Sequence, residues 1–432
     1  MDDPGLQRNV RVLLAVSALF GLAYGIYDLA LPLYLRSRHF TQLQGSLVFA
    51  VPVLATIVLR LCVGRISDRL GRKLFYSLSL LGCSLASFLT PFSPGVAVQV
   101  SLRSLRDACV EIRGALHSIF LYETAREKFI HLLGRTEGLY TFAQGAGLIL
   151  VGYGLGSVLP GAWVGGGPSE GYLPVLLFSS LVFLAAFLLL AGGLRERFAP
   201  ALEGRSSFLS ELLSLKLDTR LYVLMLCLLI FNVGLGASHG YIMYEFWQDK
   251  FHVGRAGMGW IMALHRLAYA LPLWFAARIY RGSVHRHRRL VLIVLIAVQG
   301  LTTAAAGVIP VLGLAVAVWL LHDLFGAGAW RPVMDSLVQR YCRGHVRGTD
   351  TAKALAFSQA GMVVGMMMGG WCYTSGAADL LRRVVPRMGG EGKYYGLAFV
   401  AGGAFAVLSV IPLFVLLVLD RAEDDAAQGP RG

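Results

Sequence analysis

Twelve stretches of this chain run apolar for about 17 residues or more, long enough for a helix to cross a hydrocarbon core about 30 Å thick. They lie near 11–35, 43–63, 74–90, 96–121, 137–159, 172–194, 221–246, 257–280, 290–310, 313–338, 354–375 and 394–419. A chain with so many long apolar blocks cannot satisfy its backbone polar groups in lipid except as helices or a closed barrel, and blocks of this length point to helices. Only 15% of its residues are charged, against roughly 25% in soluble domains. The first block is too long for the apolar region of a signal peptide and no small-residue cleavage site follows it, so it is expected to remain as a span. Cys62, Cys83, Cys109, Cys227, Cys342 and Cys372 are scattered without a CxxC pair, which supports neither a disulfide framework nor a zinc site.

The formal net charge of +14 would suit a nucleic-acid binder, but its placement argues otherwise. About three quarters of the Lys and Arg residues outside the spans fall on the side that carries both termini, which is the bias that marks the cytoplasmic face. The charge therefore reads as an orientation signal, with both termini cytoplasmic and no nucleic-acid partner expected. Arg36 and Arg38, and the outer stretch with Arg382, Arg383, Arg387 and Lys393, run against the bias.

The chain also repeats itself. A shift of 211 lays Phe20, Gly25, Asp28 and Phe40 on Phe231, Gly236, His239 and Phe251, and a shift of 215 lays Phe142 and Gln144 on Phe357 and Gln359. A shift of 218 lays Arg113 on Arg331. Three matched segments in chain order indicate a duplicated bundle, a common plan among transporters. The expected division is a six-helix bundle over 1–195, a polar connection over 196–220, and a second bundle with a short tail over 221–432.

Between the second and third spans stands GRISDRLGRK. It resembles the G-x-x-x-D-R-x-G-R-[KR] motif that the major facilitator superfamily carries between its second and third helices. Gly64, Asp68, Arg69, Gly71, Arg72 and Lys73 fill the defined places. The corresponding stretch of the second half, ARIYRGSVHRHRR, keeps the basic charge and loses the acid. The resemblance implies an all-α membrane protein of twelve transmembrane helices in two pseudo-symmetric six-helix bundles. It also implies a conformational latch in which Asp68 and Arg72 cluster with Glu123 at the cytoplasmic end of the fourth span, Arg69 belonging to the same latch and Gly64 and Gly71 allowing its tight turn. The plainer alternative is that these basic residues only set topology.

In the resembled fold, spans 1, 4, 7 and 10 line the central cavity. Span 4 is the most informative of these. At 100° per residue, Arg103, Arg106, Asp107, Glu111, Arg113 and His117 share one face, and Leu105, Ala108, Cys109, Ile112, Leu116 and Ile119 share the other. An ion at mid-bilayer costs about 2.5–3.5 kcal/mol even on the lenient insertion scale, so this face is expected to pair internally or to line a cavity. Arg103 and Asp107 can pair at four residues' spacing. Arg106 has no acid three or four residues away, which leaves it for a ligand or for Asp28 on span 1.

Tyr24, Tyr27 and Tyr34 flank Asp28. Span 7 contributes Asn232 and His239, and span 10 contributes His322, Asp323 and Trp330. The expected solute-binding residues are Tyr24, Tyr27, Arg103, Arg106, Asn232, His239, His322 and Trp330. The expected ion-coupling acids are Asp28, Asp107, Glu111 and Asp323, with Asp28 first as the only acid of span 1. Arg113 and the Arg331/Asp335 pair, nearer the cytoplasmic end, read as structural.

Guanidinium groups, carboxylates and tyrosines together suit a small polar solute, anionic or zwitterionic, carried by a secondary active transporter through alternating access with a coupled ion, a proton by expectation. Drug efflux is the runner-up reading, favoured by the aromatic groups and disfavoured by span 5, which lacks the proline typical of the superfamily's antiporters. A transition-metal carrier would use Met258, Met262, Met362, Met366, Met367, Met368, His265 and Cys372, but methionine in helices more often fills gaps. No GxxxxGK[ST] or HExxH motif is present, and no enzyme, resident metal or cofactor is expected. The implied location is a multi-pass position in the membrane, a bacterial inner (plasma) membrane by expectation, with lipid, solute and coupling ion as partners.

Overall fold

A computed structural model describes residues 4–70, 72–124, 129–153, 170–196, 217–279, 287–342, 347–374, 377 and 395–428. Among these the regular structure is helical throughout. In chain order the helices are α1 (Pro4–Ser37), α2 (Gln42–Leu70), α3 (Arg72–Leu89), α4 (Val96–Thr124), α5 (Phe129–Tyr153) and α6 (Leu173–Gly193), then α7 (Thr219–Ser238), α8 (Tyr241–Phe251) and α9 (Arg255–Ile279). They are followed by α10 (Arg288–Val308), α11 (Leu312–His322), α12 (Gly328–Tyr341), α13 (Arg347–Cys372), α14 (Leu397–Leu408) and α15 (Val410–Gln428).

Seven helical stretches among the described residues are long and apolar enough to cross a membrane. The fourth helix is not one of them, because its charged face interrupts the apolar run.

The chain divides into two compact units, one formed by residues 1–204 with 247–270 and the other by 205–246 with 271–432. In the first unit α1 packs along α5 and α6, α2 against α4, and α3 against both α4 and α6. Its core gathers Leu13, Val16, Phe20, Tyr76, Leu80, Phe120, Phe183 and Leu190. The α1–α5 contact is backbone to backbone: a side chain on Gly25 would collide with the main-chain carbonyl of Gln144. In the second unit the same device recurs between α7 and α13, where a side chain on Gly236 would meet the carbonyl of Met362. Gly25 and Gly236 are partners in the 211-residue repeat, so the duplication is visible in which helices touch and by what means. Close helix approach in lipid relies on such small residues, since lipid tails give no hydrophobic drive between helices.

Local chemistry sets the helix ends. Asp218 caps α7 by accepting from the Arg220 amide at 2.8 Å, and the Arg220 guanidinium beside it holds its carboxyl below the usual carboxylate range. Glu196, just after α6, accepts from the amides of Arg72 at 2.8 Å and Lys73 at 3.2 Å, placing a carboxylate on the first turn of α3.

Three spans expected to be continuous are interrupted. The seventh breaks at His239 and Gly240, where Gly240 takes φ 68°, a left-handed conformation that costs glycine little. The tenth changes to a π turn over Asp323–Ala327, with Gly326 at φ −105° and ψ −116°. The twelfth bends at Ser409, just before Pro412, whose missing amide hydrogen leaves a carbonyl of the preceding turn without its helical donor.

Candidate functional site

The charged face of α4 folds inward within the first unit. Arg106 is wholly buried, Arg103 nearly so, and Asp107 lies between them: Arg103 donates from Nε to Oδ2 at 3.1 Å, and Arg106 from Nη1 to Oδ1 at 3.0 Å. Arg106, with no acid three or four residues away, is therefore not left for a ligand or Asp28 alone, because it pairs with the adjacent Asp107. Adjacent residues diverge by 100° around a helix, yet a guanidinium on three methylenes reaches back to the neighbouring carboxylate, so one aspartate serves both bases.

Tyrosines of α1 close over this group. The Arg106 guanidinium lies 4.1 Å from the ring centre of Tyr27 and 4.5 Å from that of Tyr24, while Arg103 covers Phe49 of α2 at 3.9 Å. Stacking holds a buried guanidinium without using its N–H donors. Indeed Nε and Nη2 of Arg106, and Nη1 of Arg103, are buried with no hydrogen-bond acceptor among the described residues. Tyr27 is itself fixed, its hydroxyl 3.1 Å from Thr90 Oγ1.

Asp28, one turn beyond Tyr24, is paired with a different base from the one expected. Its Oδ2 accepts from Nη2 of Arg266 on α9 at 3.1 Å. Spacing along the chain could not reveal Arg266; the signal available was an arginine in the middle of an apolar span. The side chains joined by these contacts carry three guanidinium groups (Arg103, Arg106, Arg266) and two carboxylates (Asp28, Asp107). Glu111 is half-buried on the next turn of α4.

Deeper along α4 the polar groups bond to one another. Arg113 donates from Nη2 to Ser17 Oγ at 2.9 Å and covers the Phe20 ring at 4.5 Å, while His117 lies 2.8 Å from the Tyr76 hydroxyl and 3.3 Å from Ser17 Oγ. At the C-terminal end of α1, Arg36 pairs with Asp249 at 2.7 Å.

In the second unit the expected residues fall into two places. His239 and His322 meet at the two helix interruptions, Nε2 to Nε2 at 3.2 Å, with Asp323 Oδ1 3.5 Å from His322 Nε2. Asn232 and Trp330 lie apart from them: Asn232 donates to the Ser358 carbonyl at 2.9 Å, and Trp330 donates to Gln299 Oε1 at 2.6 Å while crossing Phe231 edge to face. Both contacts link neighbouring helices. Of the implied latch, Gly71 and the side chains of Asp68, Arg69 and Glu123 lie outside the described residues, as does the Asp335 side chain. Gly64 is helical within α2, and the Arg72 amide is held by Glu196.

Residues 13–244 match the model of the Major Facilitator Superfamily. Multidrug resistance protein MdtG of Rahnella sp. (strain Y9602) is 26% identical over 206 residues, covering 46% of this chain and 47% of that protein, so the match spans about half the length of the relative. Among solved structures, a mutant form of the nucleoside transporter NupG aligns with a TM-score of 0.73 at 12% identity, over 94% of this chain and 99% of that one. A bacterial homolog of the human lysosomal transporter Spinster, inward-facing and unoccupied, aligns at 0.71 and 14% identity over 96% of each chain. With a family match across more than half its length and the same fold along nearly all of it, the chain belongs to the Major Facilitator Superfamily of membrane transporters.

Proposed function

We propose that this transporter carries a small polar organic solute, anionic or zwitterionic, by alternating access, and that the cluster on α1, α4 and α9 is its recognition site. The observation that carries the reading is Arg106: a fully buried guanidinium, stacked over two tyrosines, with Nε and Nη2 lacking an acceptor among the described residues. A buried donor without an acceptor costs about 1–3 kcal/mol, more when charged, and a carboxylate or phosphate of the solute would remove that cost by a two-pronged contact. The excess of guanidinium over carboxylate in the cluster favours the same sign of ligand.

Asp28 is the coupling acid in this reading. Its partner Arg266 belongs to a different helix, so movement of α9 against α1 would unpair the carboxylate and raise its affinity for a proton. Protonation, solute binding and the helix movement would then bias one another as linked equilibria. Both termini face the cytoplasm in this proposal, and the basic motif after α2 acts as the cytoplasmic latch.

Proton-coupled efflux of amphiphilic drugs is the second reading, supported by the identity to a protein named for multidrug resistance and by the tyrosine and phenylalanine rings about Arg103 and Arg106. A thermal-shift screen of purified protein against organic anions and amphipathic amines separates the two, since a ligand raises the melting temperature of the state it binds. Stabilisation by organic anions that is lost in Arg106→Ala supports the first reading. Stabilisation by amines alone overturns it.

A further inference from the structure

The geometry points to a binding site for a divalent transition metal, zinc by ligand type, formed by His239, His322 and Asp323 where α7 and α11 are interrupted. The inference goes beyond the solute reading and does not depend on it, because the site uses the second unit and its test requires no transport.

The argument starts from proton positions. Nδ1 of His239 faces the main-chain carbonyl of Leu235 at 3.1 Å, and Nδ1 of His322 faces the carbonyl of Trp319. A carbonyl can only accept, so each Nδ1 carries a hydrogen, and in the neutral ring each Nε2 presents a lone pair. Ser238 Oγ, 2.9 Å from His239 Nδ1, is consistent with this, since its own hydrogen goes to the Gly234 carbonyl at 3.1 Å. Two lone pairs facing each other at 3.2 Å repel unless a metal ion or a shared proton lies between them.

The spacing suits a metal. Two imidazole nitrogens about 2.0–2.1 Å from a tetrahedral zinc stand about 3.3 Å apart, and the observed 3.2 Å is close to that edge. Asp323 Oδ1, 3.5 Å from His322 Nε2, supplies a third donor of the hard type that zinc accepts with imidazole. The carbonyl contacts at both Nδ1 atoms are the outer-shell bonds that ordinarily fix a metal-binding histidine in its tautomer.

The backbone is bent to bring these donors together. His239 caps α7 in an extended conformation (φ −115°, ψ −169°), and the π turn beginning at Asp323 advances the register of the tenth span directly after His322. Single π turns inside helices recur at functional sites. Trp319 stacks on His322 at 5.1 Å, walling one side of the donor set.

The test is titration of the untagged, detergent-purified chain with Co2+ and then Zn2+. The expected result is one ion per chain, a tetrahedral Co2+ absorption band displaced by Zn2+, and a Zn2+-dependent rise in melting temperature. His239→Ala and His322→Gln should each weaken binding at least tenfold, Asp323→Asn should weaken it less, and His252→Asn should leave it unchanged. His322→Gln keeps a polar side chain of similar reach, and a melting curve measured without metal shows whether each variant is folded. Absence of a Co2+ band in the wild-type chain, or equal affinity in folded His239→Ala and His322→Gln, overturns the assignment.

Discussion

Arg266 reaches from α9 to Asp28 on α1, Nη2 to Oδ2 at 3.1 Å, joining residues 238 positions apart in the chain. The carboxylate is buried and the guanidinium about one third exposed, so the pair is only partly desolvated and its net contribution is modest. Removing one partner leaves the other with a cost, so single variants overstate the pair. A double-mutant cycle with Asp28→Asn and Arg266→Gln should return a coupling of about 1 kcal/mol in thermal unfolding. In proteoliposomes Asp28→Asn should abolish gradient-driven uptake and spare exchange of solute, because exchange does not return an empty, deprotonated carrier. Full gradient-driven uptake in Asp28→Asn would remove it from the coupling role.

Arg106→Lys keeps the charge and loses the planar fork, so solute binding should weaken by at least about tenfold, or about 1.4 kcal/mol, if recognition is two-pronged. Equilibrium binding of the best-stabilising anion measures it. Arg103→Lys is expected to cost less, since its Nε is committed to Asp107.

Gly25→Val and Gly236→Val should each lower the melting temperature, at an overpacking cost of about 1–3 kcal/mol or more, because the new side chain meets a backbone carbonyl that cannot rotate away. Gly114 on α4 has no atom within 4 Å of an added Cβ. Gly114→Ala should therefore be neutral or stabilising, by up to about 1 kcal/mol from helix propensity. A single fluorescence-melting series checks all three.

Glu196→Gln removes the carboxylate from the first turn of α3 and should loosen it by about 0.5–1 kcal/mol. Amide hydrogen exchange at Arg72 and Lys73 should speed up several-fold, while exchange in the middle of α3 stays unchanged.

Lys250, at the end of α8 beyond the apolar part of the span, has its ammonium pushed down to about 8 by burial. The folded chain therefore binds fewer protons than the unfolded one between about pH 8 and the usual lysine range, and this group's effect on stability becomes more favourable as pH rises through that window. Amine acylation of Lys250, followed by peptide mass spectrometry, should reach half its maximal rate near pH 8. A Lys250 profile that follows ordinary lysines would refute the shift.

Much of the fold is legible in the sequence. Apolar blocks of spanning length made the chain helical and membranous, GRISDRLGRK carried the family, and the 211-residue shift paired Gly25 with Gly236, which occupy equivalent helix contacts. The inward face of α4 was also readable, because 100° per residue places Arg103, Arg106 and Asp107 on one side whatever surrounds them. These features are local: they follow from backbone periodicity and from the cost of leaving polar groups in lipid.

Tertiary structure alone decided the partners. Arg106 bonds to its immediate neighbour Asp107, Asp28 bonds to Arg266, and His239 meets His322 because α7 and α11 both break where they do. No periodicity encodes such choices. Several bases were available to each acid, and the selection was made by which helices pack together and how far a flexible side chain can reach, a property of the folded chain as a whole.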